Sequence, residues 1–461
     1  MKCFSMFAPL FAMFGLAAVM SAPAMAQTVV GNRAFLVEDM RNDQAAFMVR
    51  VGVDKPDRVY RVGDTPIVGV VSEKEGYLYL FYAQADDKIA LIFPNSVQPD
   101  NKIPAKTAIA IPSAKSEFRF RVGEPTGKEV LKAVVTLKPL KAEEIEQARR
   151  QFGAPIKGET TRALYVESLK PQPRGWAEHS VEITTLKPGQ AVSTQQRRVA
   201  VCIGISDFRD DRVRDLSICH KDAEAMADLL KKQCGFEHVV TLTNQQGTRA
   251  NIEKAIRKEL VERTRPGDEV ILYWSGHGGR IADDNGDEKD GYDEVLVPYD
   301  ADLTNIDTQR SSMVVDDAFG HWIQALDGRK VLVILDTCHS GGQAANGKGV
   351  SGLDGGQNLA NVEFDFLDQE MTRAKDIGQK DAALLASSTA RQISFERRDG
   401  NLSVMTHFLV QHVKEAPGQV TLSELFGVLE KAVPKYVAET EPGATQTPVL
   451  INEIKPFLVK P

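Results

Sequence analysis

The sequence predicts an α/β fold, with an open, mainly parallel sheet flanked by helices, preceded by a small, mostly β domain. Two observations carry this expectation. From Arg197 onward, apolar runs of strand length alternate with helical stretches, the pattern of a parallel sheet whose crossovers are helices. Before that, residues 59–140 break into short strand-like runs separated by turn residues.

Taken in chain order, residues 27–58 read as a polar lead-in. Within 59–140, Gly76-Tyr77-Leu78-Tyr79-Leu80-Phe81-Tyr82 is rich in aromatic, strand-favouring residues. Glu117-Phe118-Arg119-Phe120-Arg121-Val122 alternates polar and apolar with period two. Gly63-Asp64, Asp86-Asp87, Pro94-Asn95 and Pro99-Asp100 mark turns. This domain carries no cluster of His, Cys or carboxylates at a chemical spacing, so scaffolding or binding is expected of it. Its aromatics Tyr77, Tyr79 and Tyr82 suit either an interface or its own core. Residues 141–195 read as a linker with one short helix, Ala142 to Phe152.

The α/β part occupies residues 196–455. Val199 to Ile205 is a continuous apolar run, as expected of a strand buried on both faces. A helix from Asp222 to Gln233 stops at Gly235, a strand spans His238–Leu242, and a helix runs from Thr248 to Arg263. Strands at Asp268–Trp274, Lys330–Leu335 and Ala382–Ala386 follow, with helices at Asp316–Leu326, Val404–Val413 and Leu422–Val433.

The bulk composition narrows the function. Hydrophobic residues make up 43% and charged residues 26%, ordinary globular proportions, and the net charge of -7 excludes a strongly basic, nucleic-acid-binding protein. Residues 1–26 have the form of a secretory signal: Lys2, an apolar run from Phe4 to Met20, and Ala24-Met25-Ala26 before Gln27. The mature chain is therefore expected to be exported, periplasmic or secreted, and not membrane-spanning, since no later segment offers about 18 consecutive apolar residues. Four cysteines follow the signal, Cys202, Cys219, Cys234 and Cys338. They have no CxxC zinc spacing and form no dense disulfide framework.

Two polar clusters fall at the carboxyl ends of strands, where open α/β sheets place their ligands. They are Ser275-Gly276-His277-Gly278-Gly279 and Asp336-Thr337-Cys338-His339-Ser340-Gly341-Gly342. A cysteine nucleophile needs a neighbouring base, and histidine suits neutral pH. Flanking glycines let the backbone approach a substrate and leave amides available for an oxyanion.

These clusters resemble the paired His and Cys motifs of the caspase fold in its metacaspase branch, and Asp290-Gly291-Tyr292-Asp293-Glu294-Val295-Leu296-Val297-Pro298-Tyr299-Asp300 resembles a third metacaspase signature. His277 lies 61 residues before Cys338, the family's order. The resemblance implies a caspase-like cysteine endopeptidase in which Cys338 attacks the scissile carbonyl, His277 is base and acid, and the amides of Gly278 and Cys338 hold the oxyanion. His339 is a rival base, disfavoured because adjacent side chains seldom face each other at a strand end. The N-terminal domain, through Ala90-Leu91-Ile92-Phe93-Pro94-Asn95, resembles uncharacterised β domains found beside bacterial caspase-like domains.

Substrate and metal expectations follow. Cys219-His220-Lys221-Asp222 matches the family's C-x-x-D element, and Asp336 stands two residues before Cys338. The resemblance implies that Asp222 and Asp336, with Ser275 and Cys219, form a pocket for Arg or Lys before the cut bond. Two carboxylates favour a cation, and Arg can be held bidentately. For Asp222 alone the plainer expectation is a helix N-cap. Residues 283–302 hold nine carboxylates and one basic residue. An EF-hand is excluded there because Glu288 takes the required Gly position. The family's calcium site maps to Asp293, Asp316 and Asp317, with its fourth position near Ala345, which is not acidic. No cofactor is required for the chemistry, and calcium would act as an activator. The insertion Gln343–Lys380 carries Lys348, Arg373, Lys375 and Lys380, sites where self-cleavage or plain flexibility are the alternatives. Two functions of different class fit the sequence: an endopeptidase acting on protein or peptide substrates, and a catalytically silent caspase-fold protein that binds a partner through its β domain. Intact Cys338 and His277 favour the first.

Overall fold

The computed structural model describes residues 42, 45–86, 88–141, 173–191, 195–283, 291–338, 381–389, 392–452, 454 and 457–461. The N-terminal signal, the helix expected at 142–152, His339 and the insertion 343–380 lie outside the described residues.

The first module is a two-sheet β sandwich. Strands β1 (Val49–Val53), β2 (Val59–Arg61), β3 (Val68–Ser72), β4 (Gly76–Ala83), β5 (Ile89–Phe93), β6 (Lys102–Ile103), β7 (Ile109–Ile111), β8 (Lys128–Thr136) and β9 (Trp176–Leu186) build it. One sheet has the order β1-β3-β7, the other β2-β9-β8-β4-β5 with β6 paired to β4. Alternate residues of each inner face meet between them: Val49, Val51, Val68 and Val70 from one sheet, Leu78, Leu80, Leu131, Ala133, Val181 and Ile183 from the other. Tyr79 packs on the opposite face of the larger sheet with Phe81, Val134 and Trp176. It is therefore core rather than interface.

Two boundaries differ from the sequence reading. Residues 176–186, taken there as linker, form β9, which pairs antiparallel with β8 along nine residues. Residues 49–53, taken as lead-in, form β1. β9 joins β2 to β8 inside the larger sheet, and β1 pairs along β3 as an edge strand of the smaller one. Conversely, Glu117–Val122 keeps its alternating burial but joins no strand. Phe118 and Phe120 pack edge to face at 5.4 Å beside the sandwich core, and Val122 bonds to the backbone of Gly63 and Asp64.

The second module is a three-layer α/β sandwich. Its sheet runs β11 (His238–Thr243), β10 (Arg198–Gly204), β12 (Glu269–Ala282), β15 (Lys330–Cys338), β16 (Ala382–Ala386) and β18 (Val449–Ile451). The pairings are parallel except for β18. β13 (Tyr292–Leu296) and β14 (Val314–Val315) extend β12 sideways, and β17 (Val420–Thr421) pairs with β19 (Leu458–Lys460). The helices are α1 (Cys219–Gln233), α2 (Arg249–Ala255, continued as a π-helical stretch over Ile256–Glu262), α3 (Ile306–Ser312), α4 (Asp316–Gln324), α5 (Val404–Glu415) and α6 (Leu422–Thr440).

β10 shows how the layers form. Val199, Val201 and Ile203 face α2 and α4 through Ile252, Ile256, Phe319 and Trp322. Ala200 and Cys202 face α1, α5 and α6 through Met226, Leu230, Leu409 and Leu429. At Gly204 a Cβ would lie 2.2 Å from the Cys219 carbonyl oxygen, so only glycine lets α1 start this close to the sheet. Helix α3, with a capping box between Asn305 and Thr308, was not expected from the sequence.

The modules touch at the turn between α4 and β15. Arg58 and Arg50 of the β sandwich pair with Asp327 at 2.6 and 3.1 Å. The buried His179 ring of β9 accepts from Val51 N at 3.1 Å, and its other nitrogen meets the Gln324 carbonyl at 3.4 Å.

Candidate active site

Parallel pairing of β12 with β15 sets the geometry. Their register places Ser275 beside Asp336, Gly276 beside Thr337, and His277 beside Cys338. Parallel neighbours lie about 4.8 Å apart, so the expected base and nucleophile sit on adjacent strands at one level. β12 does not end at this edge, as the sequence reading had it. From Gly278 to Ala282 it continues as an antiparallel pair with β13. His277 therefore stands where the strand changes partners, with Gly276 and Gly278 on either side.

The His277 ring is fully buried. It packs on Phe208 with centroids 5.0 Å apart. Nε2 lies 2.7 Å from the Arg214 carbonyl oxygen. A carbonyl only accepts, so Nε2 carries the proton, and the lone pair of the neutral ring is on Nδ1. A base whose tautomer is fixed by a backbone oxygen is the arrangement a histidine–cysteine couple needs.

Asp222, Ser275 and Asp336 come together beneath this edge. Ser275 Oγ donates to Asp222 Oδ2 at 2.8 Å. Asp222 also accepts from Ser403 N at 2.8 Å and from the Ser403 hydroxyl. Asp336 accepts from Ser394 Oγ at 2.7 Å and from Thr406 N and Oγ1 at 3.2 and 2.7 Å. Thr406 gives its proton to Asp336, so the Tyr273 hydroxyl is the donor in its 2.6 Å contact with Thr406. Burial pushes the Tyr273 phenol well above its ordinary pKa, and the charges of Asp222 and Asp336 push it further. Both carboxylates thus bear on one ring. Asp222, Asp336, Ser275 and Cys219 are all fully buried.

Asp222 is not an N-cap. The cap of α1 is Ile218, which has no side-chain cap bond. Glu396 instead braces the entry to α1 from across the fold: its Oε1 accepts from Ser217 N and Ile218 N at 3.0 Å each. Cys219 Sγ lies 4.0 Å from the same oxygen. Glu396, Ser394, Ser403 and Thr406 all escaped sequence reading. They belong to one segment, 392–406, tied to α1 and the sheet edge only by long-range contacts. A charged run with serines at both ends, ahead of a helix, was the available signal.

The expected calcium ligands do not assemble. Asp293 pairs with Arg310 at 2.6 Å. The Asp316 carboxylate accepts from the Asp317 amide at 3.0 Å. Among the described residues no group of three or more His, Cys, Asp or Glu side chains is placed to hold a metal ion. Within the described residues these carboxylates form no cation-binding group, and no step below is routed through a metal.

Residues 197–456, more than half of the chain, match the family described as Caspase domain. Residues 59–139 match a domain of unknown function (DUF4384). Metacaspase-1 of Meyerozyma guilliermondii is 35% identical over 153 residues, 32% of this chain and 35% of its own length. Metacaspase-2 of Arabidopsis thaliana is 35% identical over 160 residues, again 32% and 35%. The chain thus spans about a third of the length of the curated relatives it matches. Among solved structures, protein GSU0716 from Geobacter sulfurreducens aligns over 57% of this chain and 95% of its own, with TM-score 0.42 and 23% identity. Caspase-1 from Spodoptera frugiperda aligns over 57% and 88%, with TM-score 0.35 and 14% identity.

Proposed function

The chain belongs to the caspase family of cysteine peptidases, and from that premise we propose that it is an endopeptidase cleaving after Arg or Lys through the couple of Cys338 and His277. The observation that carries the proposal is the register of β12 and β15, which sets His277 beside Cys338 while the Arg214 carbonyl holds Nε2–H.

In this reading Nδ1 of His277 takes the Cys338 thiol proton, and the sulfur bonds to the scissile carbonyl carbon. The carbonyl electron pair moves onto oxygen, which the amides of Gly278 and Cys338 receive. Collapse breaks the C–N bond, the leaving amine takes the proton from His277, and a thioester remains. Water then attacks the thioester with His277 again as base, and the thiol is restored.

Asp222 and Asp336 supply the preference. Their present partners are hydroxyls and amides, so an entering guanidinium or ammonium would replace hydroxyl donors with charge-assisted bonds. Export remains part of the proposal, supported by the composition of residues 1–26. Among the described residues, no helix is long and apolar enough to cross a membrane.

The test of specificity is a matched set of peptide amides with Arg, Lys or Asp before the cut. Arg and Lys should outpace Asp by orders of magnitude. Asp222→Asn should weaken the Arg preference roughly 30-fold, the effect of truncating one buried charged partner. A profile dominated by Asp would refute the pocket assignment.

A further inference from the structure

The peptide unit joining Thr337 to Cys338 offers two groups. Its N–H is the expected oxyanion donor. Its C=O accepts from Ser387 Oγ at 3.2 Å inside the protein. We propose that Ser387 and Gln446 are positioning residues of the reaction, which hold and polarise the Thr337–Cys338 peptide and seat Ser394 on Asp336. This deepens the peptidase reading above and rests on it.

Ser387 follows the last residue of β16 and prolongs its ladder, its N–H donating to Leu335 O at 2.8 Å. The backbone is fixed there, so the hydroxyl has little choice of direction. It is fully buried, as is Thr337. The single hydroxyl proton goes to the Thr337 carbonyl. A donor on that oxygen draws charge through the planar amide and makes the attached N–H a better donor, the mutual polarisation expected of hydrogen-bond chains in a dry interior.

Gln446 lies just before the edge strand β18 and is fully buried. Its amide is used in full. Oε1 accepts from Phe395 N at 3.0 Å, while Nε2 donates to Ser387 O at 3.1 Å and to Ser394 Oγ at 3.2 Å. With an N–H on one side and a carbonyl on the other, only one orientation of the amide is compatible. Because Ser394 accepts from Gln446, its own proton is directed to Asp336 Oδ1. One side chain therefore feeds two lines. One leads through Ser387 to the nucleophile's peptide, the other through Ser394 to the expected specificity carboxylate. Neither residue is placed to touch substrate, so both act through others.

A residue that merely fills the interior would affect folding and every reactivity of Cys338 alike. The test separates these cases in the full-length protein with Ser387→Ala and Gln446→Met. Three quantities are measured: kcat and KM on a peptidyl-Arg amide, inhibition by a peptidyl-Arg aldehyde, and the rate of Cys338 alkylation by iodoacetamide. The aldehyde adduct places an oxyanion against the amides, whereas displacement at the iodoacetamide carbon forms none. Ser387→Ala should lower kcat about tenfold, less than the roughly 10²–10³ lost with an oxyanion donor itself. It should weaken the aldehyde by the same factor and leave KM and alkylation unchanged. Gln446→Met should lower kcat and raise KM for Arg substrates. If Gln446→Met fails to fold, Ser387→Ala decides alone. The inference is overturned if Ser387→Ala keeps wild-type kcat and aldehyde affinity, or if alkylation falls in step with kcat. A folded wild-type protein with neither turnover nor Cys338 alkylation overturns the peptidase reading and this inference together. An active wild type with an indifferent Ser387→Ala overturns the inference alone.

Discussion

Among the cysteines, environment separates those that can react from those that cannot. Cys202 and Cys234 are buried thiols. Burial pushes them up to about 12 and about 11. The thiolate is the reactive form, so at pH 8 these two are almost wholly protonated and inert. Iodoacetamide applied to the native protein should therefore label Cys338 and spare Cys202 and Cys234, as peptide mapping would read. Native labelling of Cys202 or Cys234 would contradict the packing described for α1. The same scale explains why the partner of His277 was invisible in sequence. The acceptor is the backbone carbonyl of Arg214, and a carbonyl has no residue signature.

At the scale of elements, the segment 392–406 joins the site together. Glu396 receives the amides of Ser217 and Ile218, the two residues that lead into α1, where a carboxylate also meets the helix dipole. Glu396→Ala should cost about 1 kcal/mol, on the scale of a lost helix cap. The denaturant midpoint would report that cost. KM for Arg substrates should rise as well, because Asp222 lies in the first turn of α1. If neither quantity changes, the brace is incidental. The strands β10, β12, β15 and β16 were legible because each is a continuous apolar run bounded by polar punctuation. The segments carrying His277 and Cys338 were legible as glycine-bordered polar clusters at the ends of such runs. The hydroxyls on the carboxylates were not, since Ser403 reaches Asp222 across 181 residues of chain and Ser394 reaches Asp336 across 58. β9 was missed for a different reason. The alternation of Trp176–Leu186 is real, but flanking Pro and Gly made the region read as a linker.

At the scale of the whole molecule, the two modules meet through charge and one histidine. Burial alone would raise the Asp327 carboxyl, but the charges of Arg58 and Arg50 outweigh it and hold it below its ordinary range. A depressed carboxylate stabilises the fold above its unfolded pKa, about 3.9, and that contribution is lost as pH falls through the lower folded value. Burial also lowers the pKa of His179, against the opposing pull of Asp327 and Glu178. The neutral ring is the docked form, accepting from Val51 N. Its contribution is complete above about pH 6.5 and fades as pH drops through the depressed folded value. Acidification should thus weaken the junction first through His179 and later through Asp327. The thermal midpoint should fall between pH 7.5 and 5, and His179→Gln should flatten that dependence. An unchanged slope in the variant would show that His179 does not govern it. The β sandwich is accordingly fastened to the turn that opens the nucleophile strand.

The central claim is that Cys338 and His277 form one catalytic unit. Its most direct test is turnover of a peptidyl-Arg amide by wild type, Cys338→Ala and His277→Ala, with thermal unfolding followed in parallel. The account predicts that each variant loses turnover by a factor of about 10³ or more while still unfolding cooperatively, because residues that act as a unit fail together. Turnover retained in either folded variant, in protein free of contaminating protease, would contradict it.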